Sequence, residues 1–267
     1  MPDLGDDVFL SPAMDEVVAE FRTRHASIFS LALRLNRYAH SEIFSTEVPR
    51  QDTHAVLIAC LMQRSVSTFQ AIVLLASYGM PSEAAVLLRT LVEITFKLAA
   101  IAKDPEVGNQ YVSEDLIQRL RSVKKLMKLS QSARPSVADE ELQTLLESIQ
   151  KEISDNNSTV RTAYWFAEKA EITDLYHATY SVLSNTVHVN VRDLAMILES
   201  TEDGEITGFN YGPSDDGIYV RLLSAIESQI ICLENAFTVL PATSPEVLTQ
   251  LRSEFSQLFE KREEQKA

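Results

Sequence analysis

The stretch from Ser82 to Lys103, SEAAVLLRTLVEITFKLAAIAK, decides the fold. Strong helix formers fill it, and no glycine or proline interrupts it. Apolar side chains recur around most of its circumference, so the pattern predicts a helix in the centre of a bundle rather than one lying along its surface. Against that ground Arg89, Glu93 and Lys97 recur every four residues, a polar stripe beside Leu87, Leu88, Leu91, Val92, Ile94, Phe96 and Leu98. Two arrangements are open. The stripe faces water, or it faces inward with its charges paired and hydrogen-bonded, because burying one charge alone costs several kcal/mol.

Outward from this helix the punctuation is local. Gly79, Met80, Pro81 and Ser82 make the turn before it, and Asp104 and Pro105 break it. Upstream, Ser11, Pro12, Asp15 and Glu16 start a helix expected to run to about Tyr38, and a second is expected from Asp52 to Gly79. Downstream, a basic helix from Glu106 to Ser130 and an acidic one opening at Asp139, Glu140 and Glu141 suggest a hairpin held by ion pairs, with Glu147 among the acids. After a polar break at Asp155 to Ser158 comes a short helix in which Trp165, beside Tyr164 and Phe166, is read as a packing plug. A long helix is expected from Thr173 to Glu199, then an irregular loop over 201–217, where four of the seven glycines fall. Two more helices, Asp216 to Leu240 and Ser244 to Arg262, and a frayed tail at 261–267 complete the chain.

These elements predict an all-α, single-domain antiparallel bundle of about seven to nine helices with one glycine-rich loop. The length of 267 residues is enough to bury a large core. Cys60 and Cys232 lie apart in apolar runs with no CxxC pair, which fits two buried side chains in a reducing compartment. Met1 to Asp7 lacks a basic start and an apolar stretch, and no run reaches the roughly 20 apolar residues of a bilayer crossing, so the expectation is a cytoplasmic protein without a membrane.

The net charge of −14 disfavours nucleic acid, since the summed field repels a polyanion before contact forms. The exception is the basic stretch with Arg119, Arg121, Lys124, Lys125, Lys128 and Arg134, where RNA or another phosphate-rich partner could bind if the acidic helix did not take it. Loop residues Phe209, Tyr211 and nearby Tyr219 suggest either a lid over a cleft or a plain connector.

On the long helix, 100° of rotation per residue puts His177, Ser181, Ser184, Asn185, His188 and Arg192 on one strip. Tyr180, Leu183 and Val187 flank it on one side and Val182 and Val189 on the other, so the strip is expected to point inward. A buried His188 needs partners, and Ser184, Arg89 and Glu93 are the candidates. The alternative is a satisfied core histidine tying two helices together. His177 and His188 are separated by about 16 Å of helix, too far to share one metal ion, and no HExxH, GxSxG, Walker or Rossmann pattern occurs. No metal and no cofactor is expected.

The run Leu87-Leu88-Arg89-Thr90-Leu91-Val92-Glu93, followed by Trp165 and then Tyr176, Tyr180, Ser184 and His188, resembles an uncharacterised bacterial helical family, the domain-of-unknown-function 5677 family, over about Gln63 to Glu199. The resemblance implies a helical fold and highlights Arg89, Glu93 and His188; it supplies no activity. The functional expectation is a binding or regulatory module in which Arg89, Glu93, Tyr180, Ser184 and His188 hold a small anionic ligand. One alternative is a metal-independent RNase-like or toxin- and defence-type enzyme using His188 and Arg89, although none of the five histidines follows an arginine in the Arg-x4-His spacing of such domains. The other is a structural protein that joins a protein partner or forms a homodimer.

Overall fold

The computed structural model describes residues 2–130, 133, 138–187, 191, 194, 197–201 and 203–266, with backbone alone at 185–187 and 263–266. Among these the chain is 76% helical, with eleven α-helices and one two-stranded sheet, so the core is built by helices alone. In order they are α1 (Met14–Arg24), α2 (Ala26–Ser45), α3 (Thr53–Ser77), α4 (Pro81–Lys103), α5 (Pro105–Met127), α6 (Asp139–Asp155), α7 (Ala163–Ala170), α8 (Thr173–Leu175), α9 (Ser181–Val187), α10 (Ile218–Ala236) and α11 (Pro245–Lys266). A π-helical turn, Tyr176–Tyr180, joins α8 to α9.

Asp52 starts α3 by accepting hydrogen bonds from the backbone N–H groups of His54 (3.0 Å) and Ala55 (3.1 Å). The helix ends in a Schellman turn: Gly79 takes φ +70°, its N–H reaches the Ala76 carbonyl, and the Met80 N–H reaches Leu75. Pro81 then opens α4 at a position where no backbone N–H is needed. Helix α4 buries Leu88, Leu91, Val92, Phe96, Leu98 and Ile101 and packs against α3, α10, α7 and α9, the central place its pattern predicts. Helices α5 and α6 form the expected hairpin around a small separate apolar cluster of Val123, Leu142 and Ile149.

Several expectations are corrected. The first helix turns a corner at His25 (φ −110°, ψ 35°), where Arg24 and His25 both reach Asp215, a tertiary contact with no local signal. Cys60 is exposed and only Cys232 is buried, because the face of α3 carrying residue 60 points away from the core. The plug of α7 is Phe166, 1% exposed, while Trp165 stays half-buried at the rim. Helix α3 is long and apolar enough to cross a membrane by length and composition, contrary to expectation; half of its apolar window is buried against its neighbours in this fold.

The long helix does not reach Glu199. Leu198–Ser200 is a strand (β1) paired antiparallel with Ile206–Phe209 (β2), so the stretch 201–217 is not wholly irregular. At the other end α11 runs to Lys266, where a frayed tail is expected. Glu42, on α2 and 1% exposed, caps that helix from across the bundle: its carboxylate accepts from the Thr243 N–H (2.6 Å), the Thr243 hydroxyl (2.7 Å) and the Ser244 N–H (3.2 Å).

Candidate functional site

Four-residue spacing on α4 stacks Arg89, Glu93 and Lys97 one turn apart, and the stripe faces α9 and the π turn. The Lys97 ammonium donates to Glu93 Oε1 at 2.8 Å, and Arg89 Nη1 lies 3.7 Å from Glu93 Oε2. Across the gap Arg89 Nη2 donates to the Tyr180 hydroxyl (2.7 Å) and Arg89 Nε to the Ser184 hydroxyl (3.3 Å). Tyr180 in turn donates to Glu93 Oε2 (3.3 Å), and Ser184 donates to the Tyr180 carbonyl (3.0 Å). Each hydroxyl therefore accepts from arginine and passes its own proton onward, which fixes the direction of the network.

The side chains of Arg89, Glu93 and Lys97 are 24%, 31% and 21% exposed, so the stripe is neither a wet surface nor a sealed core. Aromatic rings close its inner side. Arg89 Cζ sits 4.6 Å from the Tyr180 ring centre, Tyr180 stacks on Tyr176, and Lys97 Nζ lies 5.3 Å from Tyr111 and 5.9 Å from Phe166. Burial alone would raise the Glu93 carboxyl, but the hydrogen bond and charge of Lys97, the charge of Arg89 and the Tyr180 hydroxyl outweigh it and hold the group below its usual range. Burial, and then the Glu93 charge, push the Tyr180 hydroxyl upward, so it stays protonated and available to donate.

The sign of the Glu93 effect gives a test. The folded state binds this proton more weakly than the unfolded chain, so the stabilisation is complete above the ordinary value of 4.5 and is lost as pH falls through the lowered folded value. Unfolding free energy measured against pH should fall less steeply below 4.5 in Glu93→Gln than in the wild type. Parallel curves would show that the network lends Glu93 no stability.

The π turn decides which predicted residues meet. Its wider winding places one more residue in the turn than an α-helix does and rotates everything after it by about 100°. Tyr180 and Leu183 are buried and Ser184 is half-buried, while His177 and Ser181 are exposed and leave the predicted strip. His177 instead lies beside Tyr164 and Tyr176. Arg89, Glu93, Tyr180 and Ser184 are thus brought together as expected; His188 and Arg192 lie outside the described residues, and only the backbone of Asn185 is described. Lys97, given no role of its own by the sequence, proves to be the nearest partner of Glu93. Its signal was the third place in the four-residue ladder.

Elsewhere the predicted features separate. Arg119 pairs with Asp115 on its own helix (2.6 Å), while Arg121, Lys124, Lys125 and Lys128 are exposed and make no ion pair among the described residues. Among the described residues an apolar cluster packs α5 against α6, and Arg134 lies outside them. Tyr211 lines a cavity of 320 Å³ with Phe9 and the Met80–Glu83 turn, whereas Tyr219 faces a different cavity. Among the described residues no three His, Cys, Asp or Glu side chains gather as metal ligands.

The fold is that of an all-α protein carrying a half-buried, cross-helix network of one carboxylate and two cations. The chain belongs to DUF5677, a family of unknown function, whose model matches residues 55–206, more than half of the 267. That stretch holds every member of the Arg89 network. No curated protein and no solved structure matches the chain.

Proposed function

We propose that this protein is a non-enzymatic binding or regulatory module in which Arg89 holds the anionic group of a small ligand. The carrying observation is the local charge balance: two cations, Arg89 and Lys97, face the single carboxylate Glu93 in a half-buried setting within a chain of net charge −14. Partial desolvation strengthens that surplus positive charge, and the acidic surroundings favour a small anion over a polyanion. Tyr180 and Ser184 hold the guanidinium through Nη2 and Nε, with its Cζ 4.6 Å from the Tyr180 ring centre, leaving recognition of a carboxylate or phosphate to its remaining N–H groups.

Isothermal titration with a panel of small carboxylates and phosphates tests the proposal. Binding is expected in the wild type, with affinity falling about tenfold or more in Arg89→Gln. A silent panel, or equal affinity in the variant, would overturn it.

A further inference from the structure

The ends of three helices meet at a place that shares no residue with the Arg89 network. Salt bridges tie α11 to its neighbours lower down, Arg34 to Glu254 and Arg252 to Glu234. Past them the first turns of α2 and α10 and the last turns of α11 enclose a cavity of 610 Å³. Its walls combine two kinds of chemistry. Tyr219, Val220 and Leu258 give an apolar and aromatic side; Lys261 and Arg262 give a cationic one, with Arg262 Cζ 5.9 Å from the Tyr219 ring centre.

Acids outnumber bases 38 to 24, and on these same helices Arg34 and Arg252 are both paired. Lys261 and Arg262 make no ion pair among the described residues. The carboxylate in the wall, Asp215, is already held by Arg24 and lies 3.4 Å from His25 Nε2. Among the described side chains the cavity wall thus carries two cations without a carboxylate partner, and Gly217 brings the positive end of the 19-residue helix α10 to its edge.

We infer that this cavity is a second ligand site, independent of Arg89, in which Lys261 and Arg262 take a phosphate group while Tyr219 and Leu258 take the aromatic body that carries it. The arginine has the planar fork that phosphate oxygens match, and the tyrosine ring beneath it offers a stacking surface. The site lies wholly outside residues 55–206, so it distinguishes this chain from the part described by its family model.

Phenyl phosphate is the probe, titrated by calorimetry and by ligand-observed NMR into the wild type, Lys261→Gln/Arg262→Gln and Arg89→Gln, with melting curves to establish that each variant is folded. Saturable binding is expected in the wild type and in Arg89→Gln, weakened about tenfold or more in the double variant. Phenol is expected to bind far more weakly than phenyl phosphate. Equal affinity in the double variant, or no binding at millimolar probe, overturns the site. Loss in Arg89→Gln with retention in the double variant would assign the probe to Arg89 and likewise overturn it. Inorganic phosphate binding as tightly as phenyl phosphate would overturn the part given to Tyr219.

Discussion

Glu42→Ala should destabilise the protein by about 2 to 4 kcal/mol. The carboxylate is 1% exposed and accepts three hydrogen bonds at the start of α11, from Thr243 twice and from Ser244 once. Alanine removes all three and a negative charge from the positive end of a 22-residue helix, and leaves a gap beside Tyr38. The loss stays below the sum of three orphaned donors because Thr243 is exposed and its groups can find water. Glu42→Gln keeps the shape and one acceptor and should lose about half as much. Urea unfolding measures both, and amide exchange should show α11 opening first. A change under about 1 kcal/mol in the alanine variant would mean that Glu42 does not anchor α11.

Gly79→Ala should be nearly as severe, about 2 to 4 kcal/mol, for steric reasons instead of polar ones. At φ +70° an L side chain is strained by roughly 1 kcal/mol or more. The added methyl would also stand 2.5 Å from Phe21 Cε2, 2.7 Å from Pro213 Cβ and 3.0 Å from the Ser214 nitrogen, and that N–H already donates to the Gly79 carbonyl. All three of those neighbours are ring or backbone atoms with little freedom to move. Thermal melting should drop by several degrees, and a variant melting with the wild type would show that α1 and the 213–214 segment are not fastened at this turn.

The legible parts of the fold were those written in neighbouring residues. Asp52, Gly79, Pro81 and Asp104 act on backbone groups within a few positions, so the bounds of α3 and α4 followed from the chain itself. The corner at His25 and the cap on α11 depend on Asp215 and Glu42, far away along the chain, and no local pattern announces either. The strands at 198–200 and 206–209 are too short for alternation to stand out among glycines. At the site, the four-residue ladder on α4 announced Arg89 and Glu93, and apolar flanks announced that Tyr180 and Ser184 lay near the core. His177 was misplaced for one reason: a constant 100° per residue does not survive the turn Tyr176–Tyr180.

That turn also sets which changes in the gene the network would survive. It winds one residue more than an α-helical turn, and Tyr180 and Ser184, at its end and just beyond it, meet Arg89. Ordinary point substitution can alter those side chains but cannot re-aim them. Losing one triplet from within the turn would do so at a stroke, leaving Arg89 and Ser184 in the gene and their meeting undone.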